Sequence, residues 1–221
     1  MSALAQSGIT VPSLKQLAAS LDRKQLTGDA AVITFDDGFQ NVYEVALPVL
    51  KQFQFPATVF LVTEFCGKDN RCYGQPKNIP AMKLLNWDAI QEMFKHGVEF
   101  GVHTATHPDL STISDQQMAD EIIGSREKLH QRLGQANHAF AYPYGSAPKA
   151  AKSIVEANFY TACSTKMDFV SAQPDLHFLP RIDMYYFSKN HAFSSIGKNS
   201  FKRFVQLRKA LRGLKQGFAR V

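Results

Sequence analysis

Two adjacent carboxylates follow a short apolar segment near the start of the chain. The segment Ala31 to Phe35 has the composition of a strand, and Asp36 and Asp37 come directly after it. In parallel α/β folds, the reactive side chains lie at the carboxyl ends of the strands. Adjacent residues leave a strand in different directions, so one carboxylate can bind a metal while the other faces a water. A plain Asp-Asp-Gly turn is the alternative interpretation.

Two imidazoles, His103 and His107, follow a second predicted strand and lie four residues apart. Neutral imidazole is a good ligand for zinc and similar ions. The helical arrangement of metalloproteases is excluded, because Thr104 occupies the position of the glutamate and Pro108 ends the segment. The two rings must therefore converge from a loop. Together with an aspartate they predict a His-His-Asp metal site that leaves positions for water and substrate.

A sharp turn, Tyr142-Pro143-Tyr144-Gly145, is expected after a later strand. It has two interpretations. The turn is either purely structural or, in company with the other motifs, one wall of a substrate groove in which aromatic faces pack on sugar rings. The single tryptophan, Trp87, has the same two interpretations, core packing or sugar contact.

Segments that predict strands alternate with segments of helical periodicity. The predicted strands are Ala31 to Phe35, Ala57 to Val62, Val98 to Val102, His138 to Ala141 and Phe159 to Cys163. The predicted helices are Ser13 to Leu21, Gln40 to Phe53, Trp87 to Lys95 with Asn86 as cap, Asp115 to Leu133 with a Ser114–Gln117 capping box and Gly134 as terminator, and Pro148 to Asn158. This alternation predicts one α/β domain around a parallel sheet, either open or closed into a barrel.

The composition, 45% hydrophobic and 20% charged over 221 residues, fits one globular domain. Cys66, Cys72 and Cys163 indicate neither a disulfide framework nor a cysteine-based zinc site, although Cys66 and Cys72 are near enough in sequence to pair. The first residues have no basic start and no long apolar segment. We therefore expect no secretory signal and no transmembrane helix, and a cytoplasmic protein unless a leader was removed.

Three segments, 34–38, 103–108 and 140–145, resemble in order the motifs of the polysaccharide deacetylase family with the NodB homology domain. The likeness extends from about residue 31 to residue 183. It implies a single-domain distorted (β/α) barrel. It also implies a metal-dependent hydrolase that removes N-acetyl groups from the amino sugars of a polysaccharide or oligosaccharide.

The resemblance further implies a role for each residue. Asp37, His103 and His107 would hold a divalent ion, with Zn²⁺ expected first and Co²⁺, Ni²⁺ or Mn²⁺ as alternatives. Asp36 would be the general base toward a water whose pKa the ion lowers from about 15.7 toward 7. The turn Tyr142-Pro143-Tyr144-Gly145 would contact substrate, and the Tyr144 amide would stabilise the oxyanion.

The chain departs from the family pattern in three places. Many members carry an arginine where this chain has Ala141, and Arg181 is the expected replacement as a catalytic residue from another loop, with an ordinary surface ion pair as the alternative. The late Leu-x-His motif, whose histidine commonly acts as general acid, has no match, because neither His177 nor His191 has the right surroundings. An early strand is also missing, so we expect a barrel that is incomplete at its N-terminus.

The chain is expected to divide into a helical lead-in at residues 1–30, the barrel at 31–190 and a basic amphipathic helix at 191–221. The net charge of +6 belongs largely to this last segment, since no acidic residue follows Asp183. The helix either packs on the barrel or lies on an anionic membrane or an acidic glycan as a peripheral element.

An acetylated amino-sugar polymer or oligomer is the expected partner. Nucleic acid is not expected, because arginine-glycine repeats and zinc fingers are absent from the sequence. The oligomeric state is not indicated. The alternative function is that of a catalytically weak or inactive glycan-binding protein on the same fold.

Overall fold

The computed structural model describes residues 1–71, 80–134, 139–187 and 191–218, with the backbone alone for 191, 192 and 213–218. Its centre is a sheet of six parallel strands in which each strand pairs with the next one along the chain. The strands are β1 Thr34–Phe35, β2 Thr58–Leu61, β3 Glu99–Val102, β4 Ala139–Ala141, β5 Thr161–Met167 and β6 Leu179–Arg181. This sheet curls into a half-barrel, which confirms the predicted α/β class and its open, distorted form.

The α-helices of the described residues are α1 Ser2–Ala5, α2 Leu14–Asp22, α3 Leu47–Phe53, α4 Trp87–Lys95, α5 Asp115–Leu133, α6 Lys149–Asn158 and α7 Asn199–Phe218. The predicted caps of two of them are confirmed. Asn86 accepts a hydrogen bond from the Ala89 amide at the start of α4. At α5, Ser114 and Gln117 form the reciprocal capping box, and Gly134 ends the helix in the left-handed conformation.

The helix predicted from Gln40 to Phe53 is not uniform. Residues 40 and 41 are α-helical, Val42–Ala46 forms a π-helical turn, and Leu47–Phe53 is α-helical again. Pro48 explains the change, because a proline inside a helix has no N–H to donate to the preceding turn. The prediction was right in placing a helical element here and wrong in treating it as one regular α-helix.

Strand β6 was missed in the sequence. Arg181, which we expected in a loop, is the last residue of this strand. Pro180 argues against a strand because it lacks a donor for the sheet, but an edge strand tolerates it, and β6 is the last strand of the sheet. The predicted β4 is present from Ala139, whereas His138 lies outside the described residues.

Apolar side chains cover both faces of the sheet. On the convex face, α3 to α6 pack on buried strand residues such as Val59, Val102 and Phe140. On the concave face, Leu14, Leu17 and Leu21 of α2 pack against strand residues that point inward. Alternation along the strands thus divides the core into two layers that fix the sheet from both sides.

Helix α7 packs on the barrel through an aromatic cluster. Phe201 and Val205 are buried against Phe187, which follows β6, and against Met167 at the end of β5. Among the described residues, none of the helices has the length and apolar character needed to cross a membrane.

Gly101 in β3 offers a test of this packing. A Cβ atom at this position would lie 2.7 Å from the Ala139 carbonyl oxygen and 2.7 Å from the Phe60 ring, and a backbone atom cannot move aside cheaply. We expect Gly101→Ala to lower the free energy of unfolding by about 1–3 kcal/mol, the usual cost of overpacking. Urea denaturation followed by circular dichroism measures it.

Gly124→Ala is the matched control, because Gly124 is an exposed glycine of α5 where an added Cβ would meet nothing within 4 Å. Alanine there should stabilise the protein by up to about 1 kcal/mol, since it is the better helix former. Equal effects of the two substitutions would contradict the close approach of β3 to its neighbours.

Candidate active site

The residues predicted to do chemistry lie together at the carboxyl ends of the strands. Asp36 and Asp37 follow β1, His103 follows β3, Tyr142 follows β4, and Arg181 ends β6. Because all six strands are parallel, these ends share one edge of the sheet. The curl of the sheet then brings the first and last strands within side-chain reach.

Asp37, His103 and His107 form a cluster with the geometry of a metal site. The Nε2 atoms of His103 and His107 are 3.2 Å apart, and the Asp37 Oδ1 atom lies 3.7 and 3.5 Å from them. Ligands bonded to one tetrahedral zinc at about 2.0–2.1 Å are separated by roughly 3.3–3.4 Å. The three atoms therefore fit one cation without rearrangement of the loops.

A hydrogen bond on the side away from the cluster fixes the orientation of the His103 ring. Its Nδ1 lies 2.7 Å from the carbonyl oxygen of Ala141 on the neighbouring strand, so Nδ1 carries the proton and donates it. The lone pair of Nε2 then points toward Asp37 and His107, as in metal sites where a hydrogen bond selects the tautomer. Burial lowers the pKa of both His103 and His107, which keeps the rings neutral and able to bind a cation.

The histidine loop is held by residues that sequence reasoning missed. The carboxylate of Glu121 on α5 accepts hydrogen bonds from the Ala105 and Thr106 amides at 2.9 and 2.8 Å and from the Thr106 hydroxyl at 2.6 Å. The Thr104 hydroxyl accepts from the His107 amide at 3.0 Å. Thr104 and Thr106 lie inside the 103–108 motif, whereas Glu121 lies in the middle of a helix and carries no local signal of such a contact.

Asp36 is held by Arg181. The guanidinium donates to both carboxylate oxygens, at 2.6 and 2.7 Å, and also to the Ser164 carbonyl and the Thr34 hydroxyl. Its carbon lies 5.8 Å from the centre of the Phe60 ring. The Arg181 side chain is 19% exposed and that of Asp36 34%, so this is not the surface ion pair of the alternative interpretation. The contact joins β6 to the end of β1, at the two edges of the open sheet.

The two carboxylates differ in their electrostatics. Burial raises the pKa of Asp36, but the charge and hydrogen bonds of Arg181, together with the charges of His103 and His107, outweigh burial and bring the pKa below its usual value. Burial raises the pKa of Asp37, and the neighbouring charge of Asp36 adds to the effect. The ionised form of Asp36 is therefore stabilised mainly by Arg181. The ionised form of Asp37 is disfavoured by burial and would be stabilised by a bound cation.

Backbone strain is concentrated at the site. Among the described residues, six other than glycine have positive φ, and four of them, Asp37, Thr104, His107 and Tyr144, belong to the site loops. Such conformations cost of order 1–3 kcal/mol each and persist only where surrounding contacts enforce them. The loops are thus held in shapes that favour the placement of side chains over local stability.

The turn after β4 is only partly open to a substrate. Tyr142 is fully buried between Phe140 and Phe178, and Pro143 is buried as well, so the expectation that both tyrosines offer a face to a sugar is wrong for Tyr142. Tyr144 is 52% exposed, and its ring packs edge-on against His107 with 4.8 Å between centroids. Within this turn, Tyr144 is the side chain placed to border a ligand.

Gly145 has a positive φ of 73°, and a Cβ there would meet the Thr165 hydroxyl at van der Waals overlap. The same hydroxyl donates to the Tyr144 carbonyl at 3.3 Å. The glycine is therefore required for the turn to pack against β5, and this packing holds Tyr144 in place.

Several other candidates lie elsewhere. Trp87 packs half-buried on the outer core layer, with the Arg132 guanidinium 5.2 Å from its ring. The His177 ring bonds to the Phe159 carbonyl at 2.9 Å, a structural contact away from the metal cluster. Cys72 and the side chain of His191 lie outside the described residues.

Comparison with known proteins agrees with this geometry. The family model for polysaccharide deacetylases matches residues 23–163. A putative polysaccharide deacetylase, YxkH of Bacillus subtilis, is 24% identical over 77% of this chain and 57% of its own length. A poly-beta-1,6-N-acetyl-D-glucosamine N-deacetylase of Staphylococcus aureus is 26% identical over 68% of this chain and 52% of its own. The chain thus spans about half the length of these curated relatives.

A solved structure shows the same fold. The Streptococcus pyogenes deacetylase PplD, in complex with acetate, superposes with a TM-score of 0.71 and 27% identity over 82% of this chain and 76% of its own. The family model covers more than half of the residues and includes both the aspartate and the histidine motifs. The chain therefore belongs to the polysaccharide deacetylase family.

Proposed function

We propose that the protein is a metal-dependent hydrolase that removes N-acetyl groups from the amino sugars of a polysaccharide or oligosaccharide. One observation carries the proposal. Asp37, His103 and His107 converge on a point that fits one cation, while both carboxylate oxygens of the adjacent Asp36 accept hydrogen bonds from Arg181. A hydrolase needs this separation, because a carboxylate that binds the ion is poorly placed to accept a proton.

Asp37, His103 and His107 would hold the ion, and Zn²⁺ is our first choice because of the two neutral imidazoles and the carboxylate. When bound, the ion supplies Lewis acidity toward water and the acyl carbonyl. The tautomer fixed by the Ala141 carbonyl keeps His103 Nε2 available as a ligand.

Asp36 is the proposed general base. Its ionised form is stabilised by Arg181, and each carboxylate oxygen has a second lone pair that can accept the proton of an attacking water. The same group can return this proton to the departing amine, as a single base does in serine hydrolases. His177 is not assigned this role, because its ring is bonded to Phe159.

The substrate would bind against Tyr144. Its exposed ring borders His107, and an aromatic face of this kind packs well on the apolar face of a sugar. The Tyr144 amide is the proposed donor to the oxyanion that develops during attack. The S. aureus relative named for poly-beta-1,6-N-acetyl-D-glucosamine supports an acetylated polymer as substrate class.

Substitution of the two aspartates should separate their roles. We expect Asp36→Ala to lower acetate release from acetylated chito-oligomers or poly-N-acetylglucosamine by roughly 10²–10⁴-fold, the usual contribution of a general base. The metal content of this variant should stay at one ion per chain. Asp37→Ala should lose both activity and metal, because it removes a ligand.

Metal analysis of the purified protein and an acetate assay measure the two effects. Loss of metal in Asp36→Ala, with retention in Asp37→Ala, would reverse the assignment. If the wild type bound these glycans but released no acetate with any divalent metal, the protein would be a glycan-binding member of the family.

Arg181 should act through Asp36 and therefore affect the pH profile. Arg181→Gln removes the largest influence that lowers the pKa of Asp36, so burial is less well opposed and the pKa of its carboxyl should rise. The base is active when ionised, and the acid limb of kcat/KM should move to higher pH. Arg181→Lys should show a smaller shift, since lysine keeps the charge and loses the bidentate contact.

Lys152→Gln is the matched control, because it removes a cation paired with Asp175 away from the site. The pH profile of kcat/KM in this variant should be that of the wild type. An unchanged acid limb in Arg181→Gln would show that Arg181 does not set the protonation of the base.

A further inference from the structure

Helix α7 carries apolar side chains that remain substantially exposed. Phe201 and Val205 are buried, but Leu207 is 59% exposed and Leu211 44% exposed. The two leucines are four residues apart and so lie on one face of the helix, separate from the buried face. The sequence continues this spacing with Leu214 and Phe218, whose side chains lie outside the described residues.

A second pair of exposed apolar residues lies in the segment between β6 and this helix. Tyr185 is 78% exposed and Met184 is 49% exposed, directly after β6. The Tyr185 ring contacts that of Tyr186, and the Arg208 guanidinium of α7 lies 5.4 Å from the centre of the Tyr186 ring. Leu207 and Leu211 are together called the C-terminal apolar surface.

All charged side chains of α7 itself are basic, although Asp29 and Asp168 of the barrel pair with two of its lysines. Residues 199–221 contain seven lysines and arginines and no acidic residue: Lys202, Arg203, Arg208, Lys209, Arg212, Lys215 and Arg220. Exposed leucines beside basic side chains are typical of helices that lie in the plane of an anionic lipid surface, where apolar burial and charge attraction add.

We propose that α7 and the C-terminal apolar surface bind the surface of an anionic lipid bilayer. A nucleic acid would satisfy the basic side chains but would give Leu207 and Leu211 no apolar medium. The deacetylated polymer, which is the product under the proposed function, carries ammonium groups and is repelled by this charge. Anionic lipid is the partner that matches both the apolar and the basic character.

Helix α7 lies near the edge of the sheet that carries the candidate active site. Lys202 pairs with Asp29, which precedes β1, whereas Lys209 pairs with Asp168, directly after β5. Phe201 also contacts Phe169 and packs with Met167, so the start of α7 too lies beside the carboxyl end of β5, on the same edge of the sheet as Asp36. Bilayer contact through Leu207 and Leu211 would keep this edge of the barrel near the lipid surface.

Sedimentation with vesicles tests the proposal on the full chain. Wild-type protein should bind vesicles of equal parts phosphatidylcholine and phosphatidylglycerol, bind phosphatidylcholine alone much more weakly, and dissociate as salt is raised. The double variant Leu207→Gln/Leu211→Gln should bind the anionic vesicles roughly tenfold less, since two apolar side chains are lost from the interface. Its thermal unfolding should match the wild type, because both positions are exposed.

Val45→Gln is the matched control, as it removes another exposed apolar residue, 65% exposed, on the π-helical turn. It should bind like the wild type. Unchanged binding of the double variant, or no binding by the wild type, would overturn the proposal. So would a concentration-dependent dimer of the wild type that the double variant abolishes, which would assign this surface to a second copy of the chain.

Discussion

The ion pair between Arg181 and Asp36 is the interaction on which the site depends. Two neighbouring carboxylates at a cation cluster would both be drawn to the cation unless one had a stronger partner. The guanidinium takes both oxygens of Asp36 and leaves Asp37 to face the two imidazoles. Arginine suits this task because its planar donors match a carboxylate bidentately and it stays charged when desolvated.

The same contact belongs to the architecture of the barrel. The described strands leave the sheet open between β1 and β6, and Arg181 crosses this opening from the last strand to Thr34 and Asp36 at the first. An ionic contact thus links the edges that backbone pairing does not. Curvature of the sheet, set by the helices outside and α2 inside, decides whether the site forms at all.

The parts of the structure that local chemistry decides were predictable from sequence. Capping at Ser114, the strand before Asp36 and the convergence of the histidines from a loop follow from short-range patterns and from the rule that strand ends carry function. What depends on long-range packing was not predictable. Pro180 made a strand at β6 unexpected, because proline lacks a donor for the sheet. Strand β4 has only three residues, which is too few for a sequence pattern to indicate that the Tyr142 side chain after it faces the core. The support of the loop by Glu121 has no signature at all, since the contact spans two elements that only the fold brings together.

The division of roles between the two aspartates is tested most directly by where a metal binds. Anomalous diffraction at the zinc edge, from crystals grown with Zn²⁺, would locate the ion and its ligands. We expect one peak bonded to Asp37, His103 and His107 at about 2.0–2.2 Å, with Asp36 outside the coordination sphere and still paired with Arg181. An ion bound through Asp36, or a peak away from the two histidines, would contradict it.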